Sequence, residues 1–362
     1  MGPLAGLKII EMAAIGPGPF AGMMLADHGA EVVRIDRPGT GHDRTDPLLR
    51  SRRSIVLDLK SAFDCERLRE LACGADGIVE GFRPGVMERL GIGPEVLLAD
   101  NPRLVYGRMT GWGQHGPCAS AAGHDINYIA LSGTLAALGR AGEKPTPPIN
   151  LAGDFGGGGM LLAFGMVSAM LAVKAGKPGQ VVDCAMVDGS ALLMSMTWGF
   201  RAAGRWSDER GTNLLDTGAP FYDTYETADS KYVAIGAIEP QFYARLREGL
   251  GIADVAALDV QDDAAVWAEQ KALLAAAIRR HTRDELCERF DGTDACLAPV
   301  LGFDEAVAHP HNRARGTFVS IDGVVQPAPA PRYSVTPCAM PTAPVVPGAD
   351  QHLVAPAGEA GG

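Results

Sequence analysis

Two short stretches of the sequence place an ionisable side chain beside glycine, just ahead of a long apolar run. The first is Gly123-His124-Asp125-Ile126-Asn127-Tyr128, and the second, thirty residues further on, is Gly153-Asp154-Phe155 followed by four glycines. The start of a helix carries unpaired N–H groups and the positive end of a dipole, which favour a nearby negative charge. We hypothesise that two such helix starts hold an anion between two proton-transfer groups, the imidazole of His124 and the carboxyl of Asp154.

Each of these residues also has an ordinary structural explanation. The apolar residues after His124 predict a helix over residues 126–136 with a stop at Gly139, and residues 160–173 predict a second helix. An aspartate before a helix most often serves as its N-cap, and a lone histidine is more often structural than catalytic. A local pattern alone is weak support for catalysis, so the hypothesis depends on the rest of the chain.

Composition limits the classes of protein to which the chain can belong. Its 362 residues exceed one ordinary core and predict two domains. Apolar residues make up 47% and charged residues 21%, as in soluble globular proteins, and the net charge of −11 argues against nucleic-acid binding. Seven cysteines without a C-x-x-C pair, and no signal peptide, indicate reduced thiols and a cytoplasmic location.

One segment has nearly the length and apolar character of a membrane span. Residues 155–173 are uncharged over 19 positions, close to the ~20 that a spanning helix needs. Glycine fills the first third, so the continuous apolar run is only residues 160–173, and residues 174–179 end it. We therefore predict a buried core helix and no membrane span.

The first half of the chain alternates between strand and helix patterns. Residues 7–12 and 31–36 predict strands, and residues 20–28 between them predict a helix that ends at Gly29. Such a βαβ unit implies parallel strands with helices on the sheet faces. Further strands are predicted at 54–59, 77–80, 104–109 and 180–186, and a further helix at 188–203. The predicted class is α/β, with a large, doubly wound, Rossmann-like parallel sheet over residues 1–204.

The pattern changes after Gly204. Residues 205–220 form a polar linker, and residues 221–226 and 231–236 alternate with the period of a hairpin. With a helix at 264–281 and a strand at 295–300, they predict a smaller α+β domain over 221–318. After a linker, 319–325, a proline-rich segment, 326–362, is expected to return to the large domain, with disorder over 355–362.

The turn after the first strand matches a weak dinucleotide-binding pattern. Gly16-Pro17-Gly18-Pro19-Phe20-Ala21 fits G-x-G-x-x-A, and Asp36 lies where a ribose-binding acid is expected. The two prolines remove N–H donors that a pyrophosphate would need, so a nicotinamide cofactor is not favoured.

Positive charge is concentrated between Arg34 and Arg89, although the protein is acidic overall. On predicted strand ends and loops this range carries Arg37, Arg44, Arg50, Arg52, Arg53, Lys60, Arg83 and Arg89. Most Lys and Arg side chains are simply solvated, but Arg37 and Lys60 close predicted strands and Arg83 follows one, where open α/β sheets bind ligands. This excess predicts a polyanionic ligand such as a nucleotide phosphate.

A series of motifs resembles one known family. Leu57-Asp58-Leu59-Lys60, Glu80-Gly81-Phe82-Arg83-Pro84-Gly85-Val86, Glu88-Arg89-Leu90-Gly91 and Gly111-Trp112-Gly113-Gln114 resemble the family III CoA-transferase/racemase group. The stretches 123–128, 153–154 and 237–242 are similar to its racemase members, which act on 2-methylacyl-CoA thioesters. The resemblance extends from about residue 4 to residue 332, with the motifs in a consistent order.

The resemblance implies an interlocked homodimer in which CoA lies on the large domain of one subunit under the small domain of the other. It implies that His124 and Asp154 are the two proton-transfer groups and that Glu239 orients the histidine from the partner subunit. The implied contacts to CoA and substrate are Arg37, Leu57, Asp58, Leu59, Lys60, Gly81, Phe82, Arg83, Arg89, Gly123, Ile126, Asn127 and Tyr128. The pair Arg52-Arg53 departs from the family pattern, since Ser54 follows where many relatives have lysine.

These residue types suit proton transfer beside a thioester. Removal of the α-proton leaves an enolate, and each fixed donor to its oxygen contributes ~3–4 kcal/mol, with the N–H of Asp125 as the candidate. Neutral His124 would take the proton on one face while protonated Asp154 returns one on the other, which requires a raised pKa at Asp154. The acyl-CoA thioester is the only small molecule implied, with no metal and no redox cofactor.

Two other functions fit part of the pattern. In a CoA transferase, Asp154 would be a nucleophile that forms a mixed anhydride, and the glycines after it would leave space for that intermediate; His124 would then have no role. A non-catalytic CoA-binding protein would leave His124, Asp154 and Glu239 all unexplained.

Overall fold

The structure is a computed structural model that describes residues 2–354, so the predicted disorder at 355–362 lies outside the described residues. The strands are β1 Lys8–Met12, β2 Glu31–Asp36, β3 Arg53–Val56, β4 Gly77–Glu80, β5 Val105–Thr110, β6 Gln180–Ala185, β7 Tyr222–Glu226, β8 Tyr232–Gly236, β9 Leu297–Pro299, β10 Phe318–Ile321 and β11 Val324–Pro327.

The helices account for most of the remaining regular structure. They are α1 Pro17–Asp27, α2 Ala62–Cys73, α3 Val86–Arg89, α4 Pro94–Asp100, α5 Asp125–Leu131, α6 Leu161–Lys174, α7 Met186–Leu193, α8 Ser195–Ala202, α9 Pro240–Gly249, α10 Trp267–Ile278, α11 Arg283–Phe290, α12 Phe303–Ala308 and α13 Pro310–Arg315. A π-helical segment, Leu151–Met160, leads directly into α6.

A six-stranded parallel sheet has the order β3-β2-β1-β4-β5-β6. In its centre, Ile9 of β1 lies opposite Val32 of β2, and Ile10 lies opposite Ile78 of β4. These strands are short apolar runs that are buried on both faces, which is the pattern expected of parallel strands covered by helices. The strand order reverses at β1 and β4, so the predicted doubly wound α/β class is confirmed.

The described residues separate into two compact units. The larger unit contains residues 2–132, 149–194 and 315–354, and the smaller unit contains 133–148 and 195–314. The smaller unit holds the antiparallel sheet β7-β8-β9, whose hairpin was predicted.

The observed boundaries differ from the predicted break at Gly204, because residues 133–148 and 195–204 cluster with the smaller unit. Arg140 explains part of this assignment, since its Nη1 lies 3.0 Å from Oδ1 of the buried Asp223, which Lys271 also pairs at 2.9 Å. Sequence composition cannot predict an ion pair between residues this far apart in the chain.

Two helices are shorter than the apolar pattern suggests. The helix predicted over 126–136 stops at Leu131, where Ser132 and Gly133 follow, and Gly133 has a φ of +85° that an ordinary helix cannot continue through. The helix predicted over 188–203 is two helices, α7 and α8, with a break at Met194. Apolar spacing continues across both breaks, so periodicity alone cannot locate them.

The glycine run after Asp154 is helical rather than a loop. Asp154 was predicted to precede the helix, but it lies in the first turn of the π-helical segment that starts at Leu151. The continuous helix Leu151–Lys174 is long and apolar enough to span a membrane, with a mean hydropathy of 1.7. Half of its most apolar stretch is buried. Two of its residues, Leu162 and Met166, pack on Gly107 of β5, as expected of a core helix.

The C-terminal segment closes the open edge of the large sheet. Asp350 N–H donates to the carbonyl of Ser54 at 2.9 Å, and Asp350 Oδ2 accepts the N–H of Ser54 at 3.0 Å. The side-chain amide of Gln351 accepts the N–H of Val56 at 2.9 Å and donates to its carbonyl at 3.2 Å. The edge strand β3 therefore has hydrogen-bond partners that an exposed edge would lack.

Candidate active site

The start of α5 fixes the backbone around His124. The N–H of His124 donates to Oδ1 of Asn127 at 3.0 Å, and the N–H of Asn127 donates to the His124 carbonyl at 2.8 Å, which closes a capping arrangement. His124 and Asn127 are exposed, whereas Asp125 between them is buried. The imidazole therefore projects from a fixed helix start with its ring accessible.

Tyr128 supports the loop that leads to His124. Its hydroxyl donates to the carbonyl of Gly123, and its ring packs edge-on against Trp112 with centroids 4.7 Å apart. A Cβ at Gly111 would overlap the Tyr128 ring, so glycine is required there. Tyr128, implied as a substrate contact, is only 7% exposed, and its visible contribution is to hold Gly123.

Asp154 lies in the first turn of the π-helical segment, directly against the start of α5. Its backbone N–H, one of the donors that a helix start leaves unpaired, donates to Oδ1 of Asp125 at 2.7 Å. Its carboxyl accepts a hydrogen bond from Nδ2 of Asn150 at 2.6 Å. The structure thus brings together His124, Asp125 and Asp154 from two helix starts, and adds Asn150, which the sequence had not indicated.

The surroundings raise the pKa of Asp154 above its ordinary value. Partial burial is the main cause, and the negative charge of Asp125 acts in the same direction. The hydrogen bond from Asn150 and the charge of His124 lower it, by less. A carboxyl in this environment holds a proton more readily than a solvated one, which is what proton return from Asp154 requires.

The site lies at the point where the strand order of the large sheet reverses. Gly16, in the turn after β1, has a φ of +70°, and a Cβ on it would lie 3.3 Å from Oδ2 of Asp154. A Cβ on Gly81, after β4, would lie 3.5 Å from Ala14 in the same turn. Ligands of doubly wound folds bind in this crevice. The G-x-G-x-x-A turn therefore faces a carboxyl group, which a pyrophosphate would avoid.

The glycines after Asp154 serve close helix packing. A Cβ on Gly157 would lie 2.6 Å from the nitrogen of Ser190, and one on Gly159 would lie 2.5 Å from the carbonyl oxygen of Pro17. Gly189 in α7 meets the backbone of Gly157 in return. Because 157–159 are buried against α7 and α1, they do not provide the open space that was suggested for an anhydride intermediate.

The positive side chains between Arg34 and Arg89 divide into two groups. The paired group is Arg34 with Glu11 and Asp36, Arg44 with Asp322, Arg50 with Asp27, Arg52 with Glu11, Arg53 with Glu31, Arg67 with Glu70, and Arg69 with Glu66 and Asp100. Arg52 is buried, and its remaining N–H groups donate to the carbonyls of Arg50 and Pro19 at 2.7 and 2.6 Å. All three nitrogens of its guanidinium therefore donate inside the protein, and the buried group is not available to a phosphate.

The other group is Arg37, Lys60, Arg83 and Arg89, which are exposed and form no ion pair within residues 2–354. They are the four cations that the resemblance assigned to CoA. Arg37, Lys60 and Arg83 follow the carboxyl ends of β2, β3 and β4, which meet at one edge of the parallel sheet. This edge therefore has positive charge that the protein itself does not neutralise.

Sequence reasoning missed a buried ion pair beneath the Arg83 turn. Glu80 Oε1 accepts from Arg108 Nε at 3.0 Å and Oε2 accepts the N–H of Phe82 at 2.7 Å, while Arg108 Nη1 donates to Glu88 at 2.8 Å. Burial raises the pKa of Glu80 to about 7, although these partners oppose the rise. Glu80 thus shapes the turn that carries Arg83, and nothing in the local pattern signals that Arg108 is buried.

The remaining predicted contacts have varied surroundings. Leu57 is buried in the core and its N–H donates to the carbonyl of Asp36 at 3.0 Å, and Asp58 accepts the N–H of Lys60 at 3.1 Å. Leu59 and Phe82 are partly buried, and Ile126 is 45% exposed beside the site. Glu239 is exposed at the start of α9 and belongs to the smaller unit, so its role toward His124 stays a prediction.

Comparison with known proteins identifies the class to which this fold and site belong. The chain is a member of CoA-transferase family III, whose sequence profile matches residues 4–353. This membership confirms the resemblance found in the motifs.

The chain is also similar to individual members. It is 49% identical over 353 residues to the alpha-methylacyl-CoA racemase of Mus musculus, covering 97% of this chain and 91% of that protein. It is 48% identical over 336 residues to the Homo sapiens alpha-methylacyl-CoA racemase, covering 92% and 87%. A solved CAIB/BAIF family protein from Brucella suis has the same fold, with a TM-score of 0.84 at 26% identity over 98% of both chains.

The raised pKa of Asp154 predicts a pH-dependent effect on stability. A carboxyl whose pKa is higher in the folded state stabilises the protein at low pH, and that contribution is lost as the pH rises through the folded-state pKa. Asp154→Asn does not titrate, so its thermal unfolding midpoint should exceed that of the wild type at pH 8, and the difference should shrink toward pH 5.

The matched control is Asp254→Asn, at an exposed position of the smaller unit, which should leave the curve nearly unchanged. A difference between Asp154→Asn and the wild type that is the same at every pH would show that burial does not hold a proton on Asp154.

Proposed function

We propose that this protein is a racemase that interconverts the (R) and (S) isomers of 2-methylacyl-CoA thioesters through an enolate. The observation that carries the proposal is the pairing of an accessible imidazole, His124, with a carboxyl of raised pKa, Asp154, at adjoining helix starts. Two relatives named as alpha-methylacyl-CoA racemases, each nearly half identical along most of the chain, support it.

In the proposed reaction, His124 removes the α-proton of one isomer and Asp154, in its protonated form, delivers a proton to the opposite face. For the other isomer the two groups exchange roles. Burial that favours the protonated carboxyl makes Asp154 a usable acid near neutral pH, where a solvated aspartate would be ionised.

The proposed donor to the enolate oxygen is the backbone N–H of Asp125. It belongs to the first turn of α5, and it donates to no acceptor among residues 2–354. A fixed N–H at the oxygen that gains charge stabilises the transition state more than the ground state. Because the chain's own groups supply acid, base and donor, the proposal includes no metal and no redox cofactor.

CoA transfer between carboxylic acids is the second candidate, because the family contains CoA transferases. In that reaction Asp154 would attack the thioester carbonyl and release the CoA thiolate. His124 would have no role, and the buried glycines 157–159 do not line space for the anhydride. We therefore rank transfer second, and a CoA-binding protein without catalysis third.

Deuterium exchange separates these functions. A single isomer of a 2-methylacyl-CoA, incubated with the protein in heavy water, should gain α-deuterium as it epimerises. His124→Ala should slow exchange from one isomer by about 10²- to 10⁴-fold, the range for loss of a general base, and slow the other isomer much less.

His281→Ala, in the smaller unit, is the matched control and should exchange as the wild type does. Acyl transfer to a free acid without α-exchange would select the transferase. Equal, mild losses from both isomers in His124→Ala would remove His124 as a one-sided base.

The unpaired cations predict how CoA is held. Arg83→Ala should raise KM for the CoA ester about tenfold, the value of one charge-assisted hydrogen bond, with little change in kcat. Arg44→Ala removes an equally exposed arginine whose charge is already paired with Asp322, and should leave KM unchanged. An unaltered KM in Arg83→Ala would make Arg83 an ordinary surface charge.

We propose a homodimer, in which Glu239 of the partner subunit orients His124. Its support within this chain is an apolar stripe on α6 and the segment before it. Met160, Phe164, Val167 and Leu171 recur at helical spacing, and Phe164 and Leu171 are 70% and 66% exposed. A contiguous stripe of exposed apolar side chains is typical of a surface that another protein chain covers.

Sedimentation velocity tests this proposal. The wild type should sediment as a dimer, and Phe164→Glu combined with Leu171→Glu should shift it toward monomer and lower activity. Phe303→Glu, at an apolar side chain that is 95% exposed in the smaller unit, is the matched control and should stay dimeric. A monomeric, fully active wild type would contradict the proposal.

The cytoplasmic location stays a prediction.

A further inference from the structure

Asp125 has a side chain whose placement the proposed mechanism does not use, since that mechanism needs only its backbone N–H. The carboxyl is 4% exposed, although Asp125 lies between the exposed residues His124 and Ile126. A buried carboxylate is costly unless it has partners, so its retention beside the site calls for an explanation.

The two oxygens of this carboxyl are in different situations. Oδ1 accepts the backbone N–H of Asp154 at 2.7 Å. Oδ2 is fully buried and has no hydrogen-bond partner among residues 2–354. A Cβ on Gly153 would overlap the carboxyl, so the π-helical segment approaches Asp125 as closely as its backbone allows. One carboxyl oxygen thus accepts an N–H of the π-helical segment, and the other is buried without a partner among residues 2–354.

The elements around Asp154 carry few other ionisable groups whose charge could act on its carboxyl. α5 carries His124, Asp125 and Tyr128, and α7 carries Asp188. β5 and β6 carry Tyr106, Arg108, Asp183 and Cys184, and α1 and α6 carry Asp27 and Lys174 at their far ends. Only Asp125 and His124 change the pKa of Asp154 through their charge, Asp125 upward and His124 downward.

We propose that the side chain of Asp125 is a positioning residue for Asp154: Oδ1 fixes its backbone, and the unpaired Oδ2 keeps a negative charge beside its carboxyl. The Asp125 carboxyl lies against the backbone N–H of Asp154, and a negative charge there favours a proton on the Asp154 carboxyl. The same contact therefore places the acid and keeps it protonated. This inference rests on the proposed function, in which Asp154 is the acid. Its test does not, because the ionisation of Asp154 is measured without substrate.

The test measures the ionisation of Asp154 directly, without substrate. In protein labelled with ¹³C at the aspartate side-chain carboxyl, the Asp154 signal is assigned by its loss in Asp154→Asn and followed from pH 4 to pH 9. Asp125→Asn retains an oxygen that can accept the Asp154 N–H but removes the charge. The pKa of Asp154 should fall by about one unit in this variant, as expected for loss of a neighbouring like charge.

Two further variants make the result specific. Asp46→Asn makes the same change at an aspartate that accepts the N–H of Leu48 at 2.9 Å, away from the site, and should leave the Asp154 pKa unchanged. Asp125→Ala has neither a charge nor a side-chain donor, so a fall there excludes a new hydrogen bond to Asp154 as the cause. It also provides a second protein if Asp125→Asn does not fold.

An unchanged pKa of Asp154 in the folded variants would overturn the proposal and leave Asp125 as a structural cap. A fall in pKa supports it whether or not the wild type epimerises 2-methylacyl-CoA, so failure of the proposed function is seen separately in the exchange assay. If both hold, the high-pH limb of the kcat/KM profile should move to lower pH in Asp125→Asn for the isomer with which Asp154 acts as the acid. In an Asp154→Asn background, Asp125→Asn should then have no further effect on exchange through His124, whereas loss of a cap would slow it.

Discussion

A single hydrogen bond between two helix starts organises this site. The backbone N–H at Asp154 is one of the donors that a helix leaves unpaired at its beginning, and the acceptor is the buried carboxylate of Asp125 in a neighbouring helix. Because His124 directly precedes Asp125, the bond joins the backbone segments that carry His124 and Asp154. The glycines after Asp154 allow it, since any side chain on 157–159 would force the helices apart.

In the larger unit, some arginines are held in buried ion pairs and others are left unpaired. Arg50 and Arg52 are buried and fully engaged, Arg50 with Asp27 and Arg52 with Glu11 and two carbonyl groups. Removing one member of such a buried pair leaves an uncompensated charge, so these arginines belong to the fold. Arg37, Lys60 and Arg83 follow the carboxyl ends of β2, β3 and β4 and form no ion pair among residues 2–354. Ion pairing inside the protein thus decides which positive charges a ligand can use.

Local pattern predicted much of the fold. The strands β2 and β4 match the predicted ranges, because parallel strands buried on both faces are unbroken apolar runs with few alternatives. The pattern failed where tertiary contacts override it. α5 ends before Gly133 although apolar residues continue. The second helix was predicted to begin at residue 160, but the π-helical segment already includes the glycines after Asp154, which pack against α7 and α1. Arg108 looks like any strand residue until Glu80 and Glu88 surround it.

By itself the sequence determined the α/β class, the order of the strands along the chain, the family and the candidate pair His124 and Asp154. These depend on residue type and spacing, which are local properties or properties of a linear motif. The tertiary structure alone decided that the buried Asp125 accepts the N–H of Asp154, that Asn150 donates to the Asp154 carboxyl, and which arginines form no ion pair among residues 2–354. Each of these depends on groups far apart in sequence meeting in a buried place, where the loss of water makes every unpaired charge and donor matter.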